Sequence, residues 1–177
     1  MKKRSYFYLV FVMAIFVSVE SRASLYLEPY LGINFSGEFK QGSSNFEYDN
    51  YPISIGGRIG YGQLGFSGGL DYQITDSIDL DNVSGSFKST DVAFFIGYQF
   101  PILVRCYAAY IFNSDFEKSG TIYDEGTGTK IGVGYSGLPF VNLNFDIKQV
   151  SYDKVNGSSV NADNNVYLLS VSLPLNL

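Results

Sequence analysis

The chain has no histidine, no tryptophan and one cysteine, Cys106, in 177 residues. Each scarcity closes off a class of explanation. Without histidine, acyl transfer would need an unusual base such as Lys130 or an aspartate, set beside a serine. No serine lies in a recognisable nucleophile motif. A lone cysteine cannot form an internal disulfide, so stability must come from elsewhere. Long apolar runs are also missing beyond the first 23 residues. Stretches such as Val92 to Ile96 fall far short of the ~20 residues that a spanning helix needs. Asp76, Asp79, Asp81 and Asn82 crowd one polar stretch, but they lack the glycine and terminal glutamate of an EF-hand loop. They read as a solvated acidic segment. No metal, no cofactor and no enzymatic activity are expected.

The first residues have a definite layout. Lys2, Lys3 and Arg4 form a basic start, and an uncharged apolar stretch runs from Tyr6 to Val19. Ser21 and Ala23 then place small residues at the −3 and −1 positions of a cleavage site. This is the three-part pattern of a secretory signal peptide. Residues 1–23 are therefore expected to be removed, leaving 24–177 as a single domain.

What remains is rich in strand and turn formers, with 15 Tyr, 15 Phe and 19 Gly in the full chain. Alternation of period two recurs eight times. The first run sets Leu25, Leu27, Leu31, Ile33 and Phe35 against Tyr26, Glu28, Tyr30, Gly32 and Asn34. The second sets Ile53, Ile55 and Ile59 against Ser54, Gly56 and Arg58. The third runs from Leu64 to Ile74, with Asp71 and Gln73 on its polar face. The fourth has Val92, Phe94, Ile96 and Tyr98 opposite Asp91, Ala93 and Gly97. The fifth, from Ile102, sets Cys106, Ala108 and Tyr110 against Arg105, Ala109 and Asn113. The sixth, seventh and eighth place Lys130, Asp146 and Ser170 opposite Ile131, Phe145 and Leu169. Inward Phe95, Tyr107, Ile111 and Leu168 depart from the pattern and can only fill the interior.

Connections alternate in kind. Gly62-Gln63, Phe100-Pro101 and Gly137-Leu138-Pro139 are tight, whereas 37–50, 75–89, 113–126 and 153–164 read as longer polar loops. Prolines 29 and 52 predict irregular strand ends. Four hairpins of equal height, with short turns on one rim and longer loops on the other, describe an up-and-down transmembrane β-barrel. A soluble barrel would put its bulky apolar face inside. Here the bulky face is continuous, and the opposite face of Gly, Ser, Asn and charges suits a narrow eight-strand lumen. Ring closure would leave no unpaired edge in hydrocarbon.

Charge supports that assignment. The segment 24–177 carries 16 acids and eight bases. The polar strand faces hold Glu28, Asp71, Asp91 and Asp146 with Arg58, Arg105, Lys130 and Lys148, which sum to zero. A closed lumen requires such balance, because unpaired buried charge is costly. Arg58, Asp71, Arg105, Lys130 and Asp146 are expected to form its polar network. Glu28, Asp91 and Lys148 could equally be rim residues in water. The remaining twelve acids face only Lys40, Lys88, Lys118 and Lys154, which argues against nucleic-acid binding. Tyr61, Tyr98, Phe100 and Tyr135 near one rim, and Tyr72, Tyr110, Phe112 and Tyr167 near the other, suit the two membrane interfaces.

In strand pattern, turn lengths and a closing apolar strand from Tyr167 to Leu177, the chain resembles the small eight-stranded outer-membrane barrels of Gram-negative bacteria. These include the outer membrane protein X type and the membrane domain of outer membrane protein A. The family usually ends in an aromatic residue, whereas this chain ends in Leu177 with Pro174 nearby. The resemblance implies location in the outer membrane, insertion by the barrel assembly machinery, and contact with outer-membrane lipids and lipopolysaccharide. It also brings to mind barrel enzymes that act on lipid A or on peptides, all of which use a histidine that this chain lacks. Two functions stay open. One is a structural or surface-interaction barrel that presents segments 37–50, 75–89, 113–126 and 153–164 to a partner. The other is a narrow pore, or a conduit for small hydrophobic molecules resembling the outer membrane protein W family. Protein purified from membranes is expected to begin at Ser24. Its mass decides this, and a product retaining Met1 would refute the cleavage site.

Overall fold

The computed structural model describes residues 24–177. The expected signal peptide lies outside the described residues. The chain forms β1 (Ser24–Gln41), β2 (Ser44–Glu47), β3 (Ile53–Gln63), β4 (Phe66–Leu80), β5 (Val83–Gln99), β6 (Val104–Lys118), β7 (Thr121–Tyr135), β8 (Asn142–Val155), β9 (Ser158–Ser172) and β10 (Leu175–Asn176). Among them β1 and β3 to β9 are the eight staves of an antiparallel barrel. Each pairs with its sequence neighbour, and β1 closes the ring on β9, with Leu31 opposite Val171 and Lys40 opposite Asp163. The strand β2 folds back on the upper end of β1, and β10 continues β9 below a break at Leu173-Pro174.

Outward residues at the lower level are apolar. Leu31, Phe66, Phe94, Ile131, Leu143 and Val171 are all exposed, and Val104 is half-exposed. Their partners across the strand wall, such as Glu28, Arg58 and Asp146, are buried. The backbone ladder is complete around the ring, so the exposed apolar side chains can face lipid without stranding peptide groups there. Cys106 lies on the same outer face. Pro29 sits within an unbroken β1–β3 ladder opposite Gly57. The irregularity predicted for it occurs on its other side, where the Pro29 carbonyl takes the Leu173 amide at 3.0 Å and Pro174 interrupts the strand.

The long loops expected from the sequence are not loops. Segments 75–89, 113–126 and 153–164 are mostly paired strand, closed by tight turns at Asp81-Asn82, Ser119-Gly120 and Asn156-Gly157. Segment 37–50 contains the end of β1 and all of β2. About 9–11 residues carry a tilted strand across a bilayer. Here β1 has 18 residues, β5 has 17 and β9 has 15, so the upper third of the barrel stands clear of the membrane. The wall then faces water, and its polarity inverts. Acids and lysines such as Asp76, Lys88 and Glu117 lie outside, while Ile78, Leu80, Phe87, Phe116, Tyr123 and Tyr152 point in. Bulges at Asn34/Ser36, Thr75/Ile78 and Ile111/Ser114 reset the phase of alternation where this happens. One bulge also corrects a single assignment: Asn113, expected inward, is exposed, and Ser114 takes the inner position. Likewise Leu64 and Ile102 belong to lower turns and not to strand faces.

Inside the upper section the rings stack. Phe116 lies between Phe39, at 4.9 Å and 18°, and Phe87, at 4.6 Å and 8°. Tyr123 meets Phe39 edge-on at 5.1 Å. Such a cluster is a hydrophobic core of the kind found in soluble β-proteins, and ring geometry adds to its area burial. Phe116→Ala is expected to destabilise the barrel by about 3–5 kcal/mol. Urea unfolding in lipid vesicles checks this; an unchanged midpoint would mean the upper section is not a packed core.

Candidate functional site

The membrane-level lumen is built by side chains that alternate inward from every stave. Each inward position meets narrow eight-strand geometry, which leaves room for side chains and little else. Two inward glycines make the space. A Cβ at Gly56 would collide with the Tyr30 ring, and one at Gly132 with Tyr107 and Asp146. Among the described residues the buried charged side chains are Glu28, Asp71, Asp91 and Asp146 with Arg58, Arg105, Lys130 and Lys148. Their formal charges cancel.

Arg58 is the bridge of this set. Its Nη1 donates to Glu28 Oε2 at 2.9 Å and its Nε to Asp71 Oδ2 at 3.2 Å. The guanidinium carbon lies 4.1 Å from the Tyr107 ring centroid and 4.9 Å from that of Tyr30. Arg105 reaches Glu28 Oε1 through Nη1 at 2.5 Å and Oε2 through Nη2 at 3.0 Å. Glu28 also accepts from Tyr26 and Ser172, both at 2.5 Å. Lys130 meets Asp71 at 2.5 Å and donates to Gln73 Oε1 at 3.1 Å. The Tyr30 hydroxyl donates to Asp71 at 2.8 Å. A smaller polar layer sits above. There Lys148 and Ser114 both donate to Asp91, each at 2.6 Å.

The five residues expected to form the network are thus all buried in the lumen. Arg58, Asp71 and Lys130 are in direct contact. Arg105 joins them through Glu28, which links it to Arg58. Asp146 differs: it accepts the Tyr107 hydroxyl and has no salt bridge among the described residues. Glu28, Asp91 and Lys148 are not rim residues; each is at least 97% buried. Sequence position alone does not reveal the part that Glu28 plays. It stands only four residues from the start of β1, and its role depends on Arg58 and Arg105 arriving from β3 and β6. The tyrosines were visible as inward residues, but nothing in the alternation marks which rings will cover a guanidinium. Below the network the lumen widens into a cavity of about 610 Å³ beside Tyr26, Glu28, Arg58 and Arg105.

No family model matches the chain, and no curated protein matches its sequence. Solved structures do match its shape. Neisserial surface protein A covers 86% of this chain and 98% of its own, with a TM-score of 0.59 at 18% identity. Ail, the attachment invasion locus protein of Yersinia pestis, covers 86% of this chain and 99% of its own, with a TM-score of 0.51 at 12% identity. The closed ladder, the apolar outer belt and these likenesses agree.

The chain has the fold of a small eight-stranded outer-membrane barrel.

In such a barrel the chemistry of the lumen decides what passes. The ionic layer here joins β1, β3, β4, β6 and β7 across the bore, and its partners are desolvated. Lys130, named above as a base that acyl transfer could use, is engaged by Asp71 and Gln73. Arg58→Ala removes the contact shared by two carboxylates and is expected to cost about 3–5 kcal/mol. Lys88→Ala, which removes an exposed 3.9 Å pair with Glu117, should cost less than about 1 kcal/mol. Urea midpoints of the two variants in vesicles test the contrast; equal shifts would mean the buried layer is no stronger than a surface pair.

Proposed function

We propose that this protein is a non-conducting outer-membrane barrel that acts through its outer surfaces, as a structural element of the envelope and a platform for contact. The observation that carries this reading is the filling of the bore at two successive heights. The ionic layer centred on Arg58 and Glu28 blocks the membrane level. The aromatic core around Phe116 blocks the protruding section above it. A pore would need a continuous aqueous path, and a hydrophobic conduit would need an apolar tunnel reaching the belt. Neither suits a lumen in which polar and aromatic plugs are stacked. Catalysis also fits poorly: the chain has no histidine, and Ser114, Asp91 and Lys148 are buried between the plugs.

The protruding wall is the contact surface in this reading. It carries twelve acids and four lysines, and Lys40, Lys88 and Lys154 each pair with a glutamate, Glu38, Glu117 and Glu125. A surface of that charge favours cationic partners, including the divalent ions that neutralise lipopolysaccharide phosphates. The partner would meet the outer faces of extended, paired hairpins, where long polar loops were expected from the sequence. Processing at Ala23 and insertion by the assembly machinery complete the proposal.

Planar-bilayer recording tests it. The purified barrel is expected to give no steady conductance. Paired loss of both plugs, in Arg58→Ala combined with Phe116→Ala, is expected to raise leak if that variant still folds. Steady conductance from the unaltered protein would favour the pore.

A further inference from the structure

The two rims solve the same backbone problem with different residues. Left-handed backbone is costly for most L side chains, and glycine and asparagine adopt it most readily. The upper turns obey this preference. Gly42, Asn82, Gly120, Asn156 and Gly157 hold their positive φ values. The three lower turns do not. Beside Gly65 at 85°, their left-handed residues are Leu64 at 52°, Leu103 at 64° and Phe140 at 66°. None of the three is tucked away: Phe140 is 87% exposed, and Ile102, next to Leu103, is 75% exposed. Every charged side chain of 24–177 belongs either to the buried eight or to the protruding upper wall, so the lower rim has no charged side chain.

A turn in water has no reason to place bulky apolar side chains where asparagine or glycine would be less strained. A turn in contact with lipid does, because each apolar group taken from water offsets the backbone cost. The rim is also continuous with the belt. Exposed Tyr61 and Phe66 flank Leu64 in the first turn, and exposed Tyr135 leads into the turn that carries Phe140.

We propose that the lower rim is itself a membrane-binding surface. Its turns seat Leu64, Leu103 and Phe140 at the headgroup–acyl boundary of the phospholipid leaflet on that side. The barrel then ends within the bilayer interface and does not project beyond it, in contrast to its upper section.

The absence of tryptophan makes the test clean, since one introduced indole reports alone. Phe140→Trp is placed in phosphatidylcholine vesicles at low protein density, and Ser119→Trp in the upper turn serves as the counterpart. Phospholipids brominated near the carbonyl end are expected to quench the Phe140→Trp reporter, with little effect from aqueous iodide. The Ser119→Trp reporter should show the reverse. A second variant separates lipid contact from turn strain. Leu64→Asn creates the Asn-Gly pair that left-handed turns favour. In water that change would raise the urea midpoint; in a lipid-seated turn it is expected to lower it. Iodide quenching of the Phe140→Trp reporter, or a raised midpoint for Leu64→Asn in vesicles, would overturn the proposal. Either result would mean that the rim stands in water, free for a protein partner or a second copy.

Discussion

Peptide groups have no water to bond in hydrocarbon, and that constraint governs the whole molecule. It demands a closed ladder, which β1 and β9 complete across the ends of the chain. Closure with eight staves fixes a bore that side chains must fill. Once the outer face is committed to lipid, alternation sends every polar side chain into that bore. The charges then have no solvent and must satisfy one another. The neutral set of eight, with Glu28 and Asp71 joined through Arg58, follows from those steps in order.

Above the membrane the solvent changes and the same wall answers differently. Bulges shift the alternation, and the interior becomes an aromatic core while the exterior becomes acidic. The chain is thus two kinds of barrel on one continuous set of strands. Its lower part is polar inside and its upper part apolar inside. The boundary is occupied by mixed groups: Tyr152 shares a 3.0 Å hydrogen bond with Ser114, and Tyr48 donates to Asn164 at 3.0 Å. These phenols have one face for the aromatic core and one end for the polar layer.

This double character explains what the sequence disclosed and what it concealed. The membrane-level faces were legible because one period holds from Leu25 to Phe35 and from Leu143 to Ile147. The charge-neutral set of eight was legible for the same reason. The upper ends of β1, β4 and β6 were hidden because alternation restarts out of phase after a bulge, so Asp76 and Ser77 together look like the beginning of a loop; in β5, β8 and β9 the phase runs on and only the polarity of the two faces changes. Their turns add Gly and Asn, which reinforces that impression. Within the lumen, sequence could say which groups face inward but not which would meet. Pairing depends on stagger between strands distant in the chain, as where Arg105 of β6 reaches Glu28 of β1.

Pro29 and Pro174 meet at the one junction that joins the two ends of the chain. Seven of the eight strand pairs are neighbours in sequence and can zip locally, whereas the pairing of β1 with β9 must wait for nearly the whole chain. Two residues without amide donors therefore fall on the contact that forms last. That seam is as long as its neighbours, and what sets it apart is that it joins the first strand of the ring to the last. Opened along it, the ring would unroll into one meander in chain order, with its oldest strand on one edge and its newest on the other.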